Sequence, residues 1–210
     1  LYNDCMNKSV AVIGGGPAGL MAAEVMRERG VRVDVYDSMP SLGRKFLMAG
    51  KSGLNLTHSE PFERFVARYG NRRREVEKWL MDFTPDDLRE WARGLGVETF
   101  VGTSGRVFPR EMKASPLLRA WLKRLDEAGV NFHLRHRWVG WDESQSLKFE
   151  TPDGIKIVKA DAAVLALGGG SWSRLGSDGA WTSWLSQAGV KVEALKPSNC
   201  GFDVDWSPHF

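Results

Sequence analysis

Cysteine is scarce in this chain. Its 210 residues include two, Cys5 and Cys200, far apart and outside any CxxC spacing, which excludes a disulfide framework and a zinc site built on paired thiolates. Also missing is any uninterrupted apolar run long enough to cross a bilayer, and no basic region followed by a hydrophobic stretch opens the chain. The expected setting is therefore reducing and cytoplasmic, with no membrane and no metal. Internal repeats and low-complexity tracts are absent, and a net charge of +3 falls short of the basic stripe that announces a nucleic-acid binder. What is present is 42% hydrophobic residues, enough for an ordinary core in one large domain or one and a half. Both ends look cut, since the chain starts at Leu1 and "DVDWSPHF" closes it with neither a helix nor a polar tail. An N-terminal piece of a longer protein is expected.

The apolar run "SVAVIG" leads into "PAGLMAAEVMRERG", an amphipathic helical pattern with Leu20, Ala23, Val25 and Met26 inward and Arg27, Glu28 and Arg29 outward. "VRVDVYD" then alternates as a strand, so the first unit is β-α-β with parallel strands. From Pro61 to Ala128 the pattern is mostly helical. One helix is opened by Thr84 as N-cap and Pro85 at its first position, and another by Ser115 and Pro116, closed by Gly129. "VGTSGRVFP" between them reads as a loop or short hairpin. "VNFHLRHRWVGW", "LKFETP" and "IKIVKAD" read as a three-stranded meander, with "PDG" as its second turn. "AAVLALGGG" reads as a buried strand running into glycines, and Asp178 as the opening of the helix "GAWTSWLSQAG".

Gly14, Gly16 and Gly19 form GxGxxG, with Pro17 and Ala18 between them, directly after a strand and at the start of a helix. In that context the three glycines serve, in turn, a tight turn, close backbone approach to a pyrophosphate, and close packing of helix on strand. The helix N-terminus adds N–H donors and a favourable dipole. Asp37, ending the second strand, stands where an acid accepts hydrogen bonds from a ribose diol. A nicotinamide-binding domain would continue into another β-α unit, whereas here a basic, glycine-containing segment, helices and a meander intervene. That layout suits an α/β, Rossmann-like FAD-binding domain of glutathione-reductase-like type, β-α-β with a meander insertion. Ala166 and Gly168 in "VLALGGG" lie where the second glycine turn of such domains passes the cofactor.

The blocks "VIGGGPAGLMAAE", "GRKFLMAGKSGLNLTHSE", "GRVFP", "KASPLLRAWL", "ALGGGSWSRLGSDGAW" and "PSNCGFDV" resemble, in order, the BaiN/RdsA (YhiN-like) family of FAD-dependent flavoproteins. The resemblance covers nearly all of residues 6 to 210. Many members read Ser-Gly-Gly-Gly-Arg-Cys-Asn in the second block, where this chain has Ala49, Gly50, Lys51, Ser52, Gly53, Leu54 and Asn55. It thus resembles a variant subgroup, and no chemistry assigned to that cysteine carries over.

The resemblance implies that the second block runs beneath the ribityl chain and flavin. Gly50 and Gly53 then permit close approach, Asn55 and Thr57 offer polar contacts, and Arg44 and Lys45 neutralise phosphate or cover the adenosine. The alternative for Arg44 and Lys45 is a solvated surface loop. Trp138 aligns with the position whose backbone meets adenine, or else is a core aromatic like most of the other eight tryptophans. His58 is either a proton donor near the ring or a polar loop residue. His133, Arg135 and Arg137 share one face of a strand, and "NRRREVEK" reads as a solvated helix start. Cys200 reads as a buried structural thiol. No catalytic residue is singled out.

The expected organisation is an FAD domain over residues 6–189, lacking its closing segment, and the beginning of a second domain over residues 190–210. The expected activity moves hydride from NADH or NADPH through FAD to an activated double bond. The resemblance implies either a small-molecule acceptor, a steroid-like enone, or an RNA one, a uridine in ribosomal RNA. A non-catalytic flavin-binding sensor or scaffold is the alternative.

Overall fold

The computed structural model describes residues 8–49 and 53–196. Chain order is β1 (Ser9–Ile13), α1 (Pro17–Glu28), β2 (Arg32–Asp37), α2 (Arg44–Ala49), β3 (Thr57–His58), α3 (Phe62–Ala67), α4 (Arg73–Asp82) and α5 (Pro85–Gly94). It continues through β4 (Thr99–Val101), β5 (Arg106–Pro109), α6 (Ala114–Glu127), β6 (Asn131–Leu134), β7 (Arg137–Trp141), β8 (Leu147–Thr151), β9 (Gly154–Val158), β10 (Ala162–Leu165) and α7 (Trp181–Gln187).

Four strands make a parallel sheet in the order β10-β1-β2-β6. The side-chain alternation of a strand assigns its two faces. Val12, Val33 and Val35 turn to one side and are buried with Leu20 and Ala23 of α1 and Leu118, Trp121 and Leu125 of α6. Ala11, Ile13 and Tyr36 turn to the other and pack on Trp138, Leu147 and Phe149 of the β7-β8-β9 meander. The domain is therefore three layers, helices over sheet over meander. Burying each such Val, Leu or Phe contributes about 1.5 to 3 kcal/mol. A third sheet, β3-β5-β4, carries the α3 to α5 region beside it.

Helix boundaries follow local chemistry. At α5, the Thr84 hydroxyl accepts from Asp87 N–H while the Asp87 carboxylate accepts from Thr84 N–H, a reciprocal cap. At α6 the expected cap is corrected. Lys113 stands at the N-cap, and Ser115 and Pro116 lie inside the first turn, where a missing proline N–H costs nothing. Gly129, with φ +80°, donates to Asp126 C=O, and Val130 donates to Leu125 C=O, closing α6 as expected.

Four further expectations are corrected. "VNFHLRHRWVGW" is two strands in two sheets, because Arg135 adopts φ +58° and breaks it. The Arg135 and His136 N–H groups then donate to Met39 and Asp37 C=O, so the break is held by the β2–α2 loop. His133 and Arg137 consequently do not share a strand face. Strand β10 is an edge of the parallel sheet among the described residues, and its side chains are half-buried to exposed rather than buried. Helix α7 begins at Trp181 with Ala180 as N-cap, Asp178 accepting from Ala180 N–H just before it. Val25 is exposed, and the buried residue beside it is Glu24. Among the tryptophans, Trp79 is 70% exposed on α4, whereas Trp121 and Trp138 are buried.

Glu24 is unexpected on an inward helix face, and its partners explain it. Its carboxylate accepts from Trp121 Nε1 at 2.6 Å and Trp91 Nε1 at 3.2 Å and pairs with Arg124. One carboxylate thus joins α1 to α5 and α6. Glu24→Ala should destabilise the fold by about 3 kcal/mol, because removing one member of a largely buried ion pair strands the others. Equal denaturation midpoints for wild type and variant in urea would show that the indoles and guanidinium re-pair without it.

Candidate functional site

The strand order reverses direction at β1, which has β2 and β6 on one side and β10 on the other. In an open parallel sheet, ligands bind in the crevice outside the carboxyl ends of the strands at that point. An open cleft of about 970 Å³, space open to solvent included, lies there, lined by Ile13–Ala18, Asp37, Ala166 and Gly168 among others.

The three fingerprint glycines have different reasons to be glycine. A Cβ at Gly19 would overlap the Gly14 carbonyl oxygen, and one at Gly14, where φ is +112°, would overlap that of Ala166. These two let α1 and β10 approach the end of β1. Gly16 is different. Its φ of −85° and ψ of −178° suit any residue, and an added Cβ would meet no protein atom within 4 Å. Nothing in the fold asks for glycine at the N-cap of α1, but the space in front of it is part of the cleft. The Ala18 and Gly19 N–H groups fall in the first turn of α1, where helical partners are lacking, and Pro17 has no N–H to lose.

Asp37 forms the opposite wall. Its two carboxylate oxygens accept from Gly15 N–H at 2.7 Å and Met39 N–H at 2.8 Å, tying the glycine turn to the loop after β2. Burial pushes its pKa above the ordinary carboxylate range, while those two N–H groups and the Arg44 guanidinium pull it part of the way back. An ionised carboxylate has about four lone-pair sites, so Asp37 can still accept from a ligand. Neighbouring Tyr36 is stacked between His133 and Phe149 at 4.4 and 4.5 Å, and burial followed by the Asp34 carboxylate push its phenol up to about 12. It stays neutral at physiological pH.

Cations stand at two places on the rim. Arg44 donates to Ser41 Oγ at 3.2 Å, and its Nε is buried with no hydrogen-bond partner. Lys45 Nζ donates to Ser171 Oγ at 2.7 Å and Ser177 Oγ at 3.3 Å. Arg137 pairs with Asp178 at 2.7 Å, its guanidinium 5.9 Å from the centre of the Trp184 ring. Trp138 meets Trp141 and Trp184 edge to face at 4.9 and 5.4 Å, and its buried Nε1 has no hydrogen-bond partner among the described residues.

Of the residues singled out in the sequence, the cleft gathers Gly14, Gly16, Pro17, Ala18, Asp37, Arg44, Lys45, Trp138, Ala166 and Gly168. Gly19 lies behind the turn as packing. Asn55 and Thr57 stand elsewhere: Asn55 Nδ2 donates to Thr57 C=O and Val107 C=O, and Thr57 is buried in β3 against β5. Gly50 and Cys200 lie outside the described residues. His58 Nε2 bonds Ser104 C=O at 3.0 Å and its Nδ1 accepts from Glu60 N–H at 3.1 Å, so both ring nitrogens are engaged on the β3-β5 hairpin. Missed in the sequence were Tyr36, His136, Ser177, Trp181 and Trp184 of the lining. The strand pattern placed Tyr36 one residue before Asp37, but no sequence signal brings α7 to this cleft.

The profile of the HI0933-like protein Rossmann domain matches residues 8–204. Carotenoid phi-ring synthase of Streptomyces griseus is 41% identical over 70 residues, 31% of this chain and 13% of that protein. Thiamine thiazole synthase of Methanosarcina acetivorans is 35% identical over 76 residues, 36% of this chain and 29% of that protein. The chain thus matches less than a third of the length of either relative. Among solved structures, the open conformation of a flavocytochrome c3 fumarate reductase superposes with a TM-score of 0.60 at 21% identity, covering 77% of this chain and 34% of that one. That likeness is one of fold. No described helix is long and apolar enough to cross a membrane.

The raised pKa of Asp37 has a defined consequence for the ligand-free protein. The folded state keeps this proton at a pH where the unfolded chain has lost it, so the contribution is present below the ordinary carboxylate range and is lost as pH rises through the raised value. Stability to urea should therefore fall over that interval, and Asp37→Asn, which cannot ionise, should flatten the step. Parallel pH profiles for wild type and variant would assign the step to another group.

Proposed function

The chain belongs to the HI0933-like protein Rossmann domain family, within the FAD-dependent oxidoreductases, and from this premise we propose that the cleft at the end of β1 holds FAD for oxidoreduction. The observation that carries the proposal is Gly16: the fold does not require glycine there, whereas a pyrophosphate laid against the start of α1 does. The residues fit the group. Gly16 and the first turn of α1 would receive the pyrophosphate, Asp37 the ribose hydroxyls, and Arg44 and Lys45 the remaining negative charge. His136, Arg137 and Trp138 line the end that would receive the adenine.

Bound there, FAD supplies the hydride chemistry, and the protein supplies position, electrostatics and exclusion of water. Within this reading the donor is NADH or NADPH and the acceptor an activated C=C, in a steroid-like enone or in a ribosomal RNA uridine. The setting is cytoplasmic, residues 6–189 are the cofactor domain, and residues from 190 onward begin a second one. Asn55, Thr57 and Gly50 belong to the reading only as the route toward the flavin ring.

Gly16→Val should destabilise the ligand-free protein by no more than about 1 kcal/mol, the cost of a poorer N-cap residue, because an added Cβ meets no protein atom within 4 Å, yet the purified protein should lose its flavin absorbance. A yellow Gly16→Val protein would remove the phosphate cradle from the proposal. For the wild type, NADH or NADPH should be consumed once a suitable acceptor is present. Bound flavin without consumption of either nucleotide would favour a redox sensor or scaffold.

A further inference from the structure

Residues 168 to 179 leave β10, run along the rim of the cleft and return to α7. Some of their bonds are made within the segment, and others tie its two ends to α7, Trp181 Nε1 donating to Gly168 C=O and the Thr182 N–H and hydroxyl to Gly179 C=O. Trp172 and Ser177 exchange N–H and C=O bonds at 2.9 and 3.1 Å, and Ser177 Oγ donates to Gly169 C=O at 2.9 Å. Glycines with φ of +71° and +70°, Gly168 and Gly179, mark the two ends. Leu175, Gly176, Ser177 and Asp178 face the cleft. To the opposite walls the segment is joined by three polar contacts from two side chains, Lys45 of α2 to Ser171 and Ser177 and Arg137 of β7 to Asp178, and by Gly176 lying close to Met39. Lys45, Ser171 and Asp178 are exposed whereas Ser177 is buried, so the Lys45–Ser171 and Arg137–Asp178 contacts are made in water and are individually weak. A segment folded on itself, with a left-handed glycine at each end and weak contacts across an opening, moves as a unit.

We infer that residues Gly168–Gly179 form a strap that swings aside to admit the cofactor and is then clasped shut by Lys45 on one side and Arg137 on the other. The inference rests on the FAD reading above and adds to it a control on cofactor exchange. The clasps set how fast bound FAD leaves, and their polar character makes that rate sensitive to salt.

The test uses the intact protein loaded with FAD, with release followed after dilution by the recovery of flavin fluorescence. Ser171→Ala combined with Asp178→Asn removes the exposed hydroxyl partner of Lys45, leaving its 3.3 Å bond to Ser177, together with the negative charge that faces Arg137, and should speed release by about tenfold, the equivalent of about 1.4 kcal/mol shared by two exposed contacts. Release from wild type should quicken as salt rises, and that dependence should shrink in Asp178→Asn. Ser144→Ala removes a comparable exposed hydroxyl contact in the β7–β8 turn and should leave the release rate unchanged. Equal release rates for the double variant and wild type, in proteins that both bind FAD and melt alike, would overturn the strap. Failure of wild type to bind FAD at all would instead overturn the reading on which it rests. Should the double variant melt early, limited proteolysis of wild type decides: cleavage within residues 168 to 179 that FAD suppresses supports the strap, and equal cleavage with and without FAD refutes it.

Discussion

At the end of β1 the Gly14 carbonyl lies against Gly19 and the Ala166 carbonyl lies against Gly14, each so close that an added Cβ would overlap the oxygen. No side chain fits at either contact. Because α1 starts within this distance of the strand end, its N-terminus opens onto the crevice between β1 and β10 rather than onto solvent beside the sheet. The free N–H groups and the positive end of the helix dipole therefore converge on one place. Asp37 is drawn to the same place by Gly15 N–H, and the Asp37 and Met39 carbonyls hold the turn that starts the meander. The cleft, its acid and its aromatic end all hang on that junction.

The second constraint acts on the inward face of α1. Valines of β1 and β2 are covered by α1 and α6, and hydrophobic burial of this kind is non-directional. Orientation comes from Glu24, whose carboxylate is met by two indole N–H groups and a guanidinium from α5 and α6. A buried charge is tolerable only when paired in this way. The helical region between residues 61 and 128 is thereby held in register with the helix that carries the glycine turn.

Electrostatics divide the rim of the cleft. One wall carries Asp37, with its proton affinity raised by burial, and the rim carries Arg44, Lys45 and Arg137. Only the last two reach the segment after β10, chiefly through exposed contacts that are individually weak. A wall tied to the glycine turn by hydrogen bonds and a lightly fastened one across from it suit a ligand that must enter from solvent and then stay, since a low-stability element is where motion is expected.

The β-α-β unit, the glycine turn, Asp37 and the α5 cap were legible in the sequence because each is decided by neighbours a few residues apart: a period of two, a period of 3.6, a glycine at a set spacing, a threonine three residues before an acid. The insertion of a meander was legible as well, though not where it began. Arg135 carries no glycine or proline to announce a break, and its left-handed conformation is imposed by the Asp37 and Met39 carbonyls, which lie far away in the chain. The same reason explains the other differences. Glu24 reads as a surface acid until Trp91, Trp121 and Arg124 are brought to it, and Asn55 reads as a ligand contact until Val107 C=O takes its amide. Local pattern determined the elements and the glycine turn; long-range packing alone decided which polar groups face the cleft and which are consumed by the protein itself.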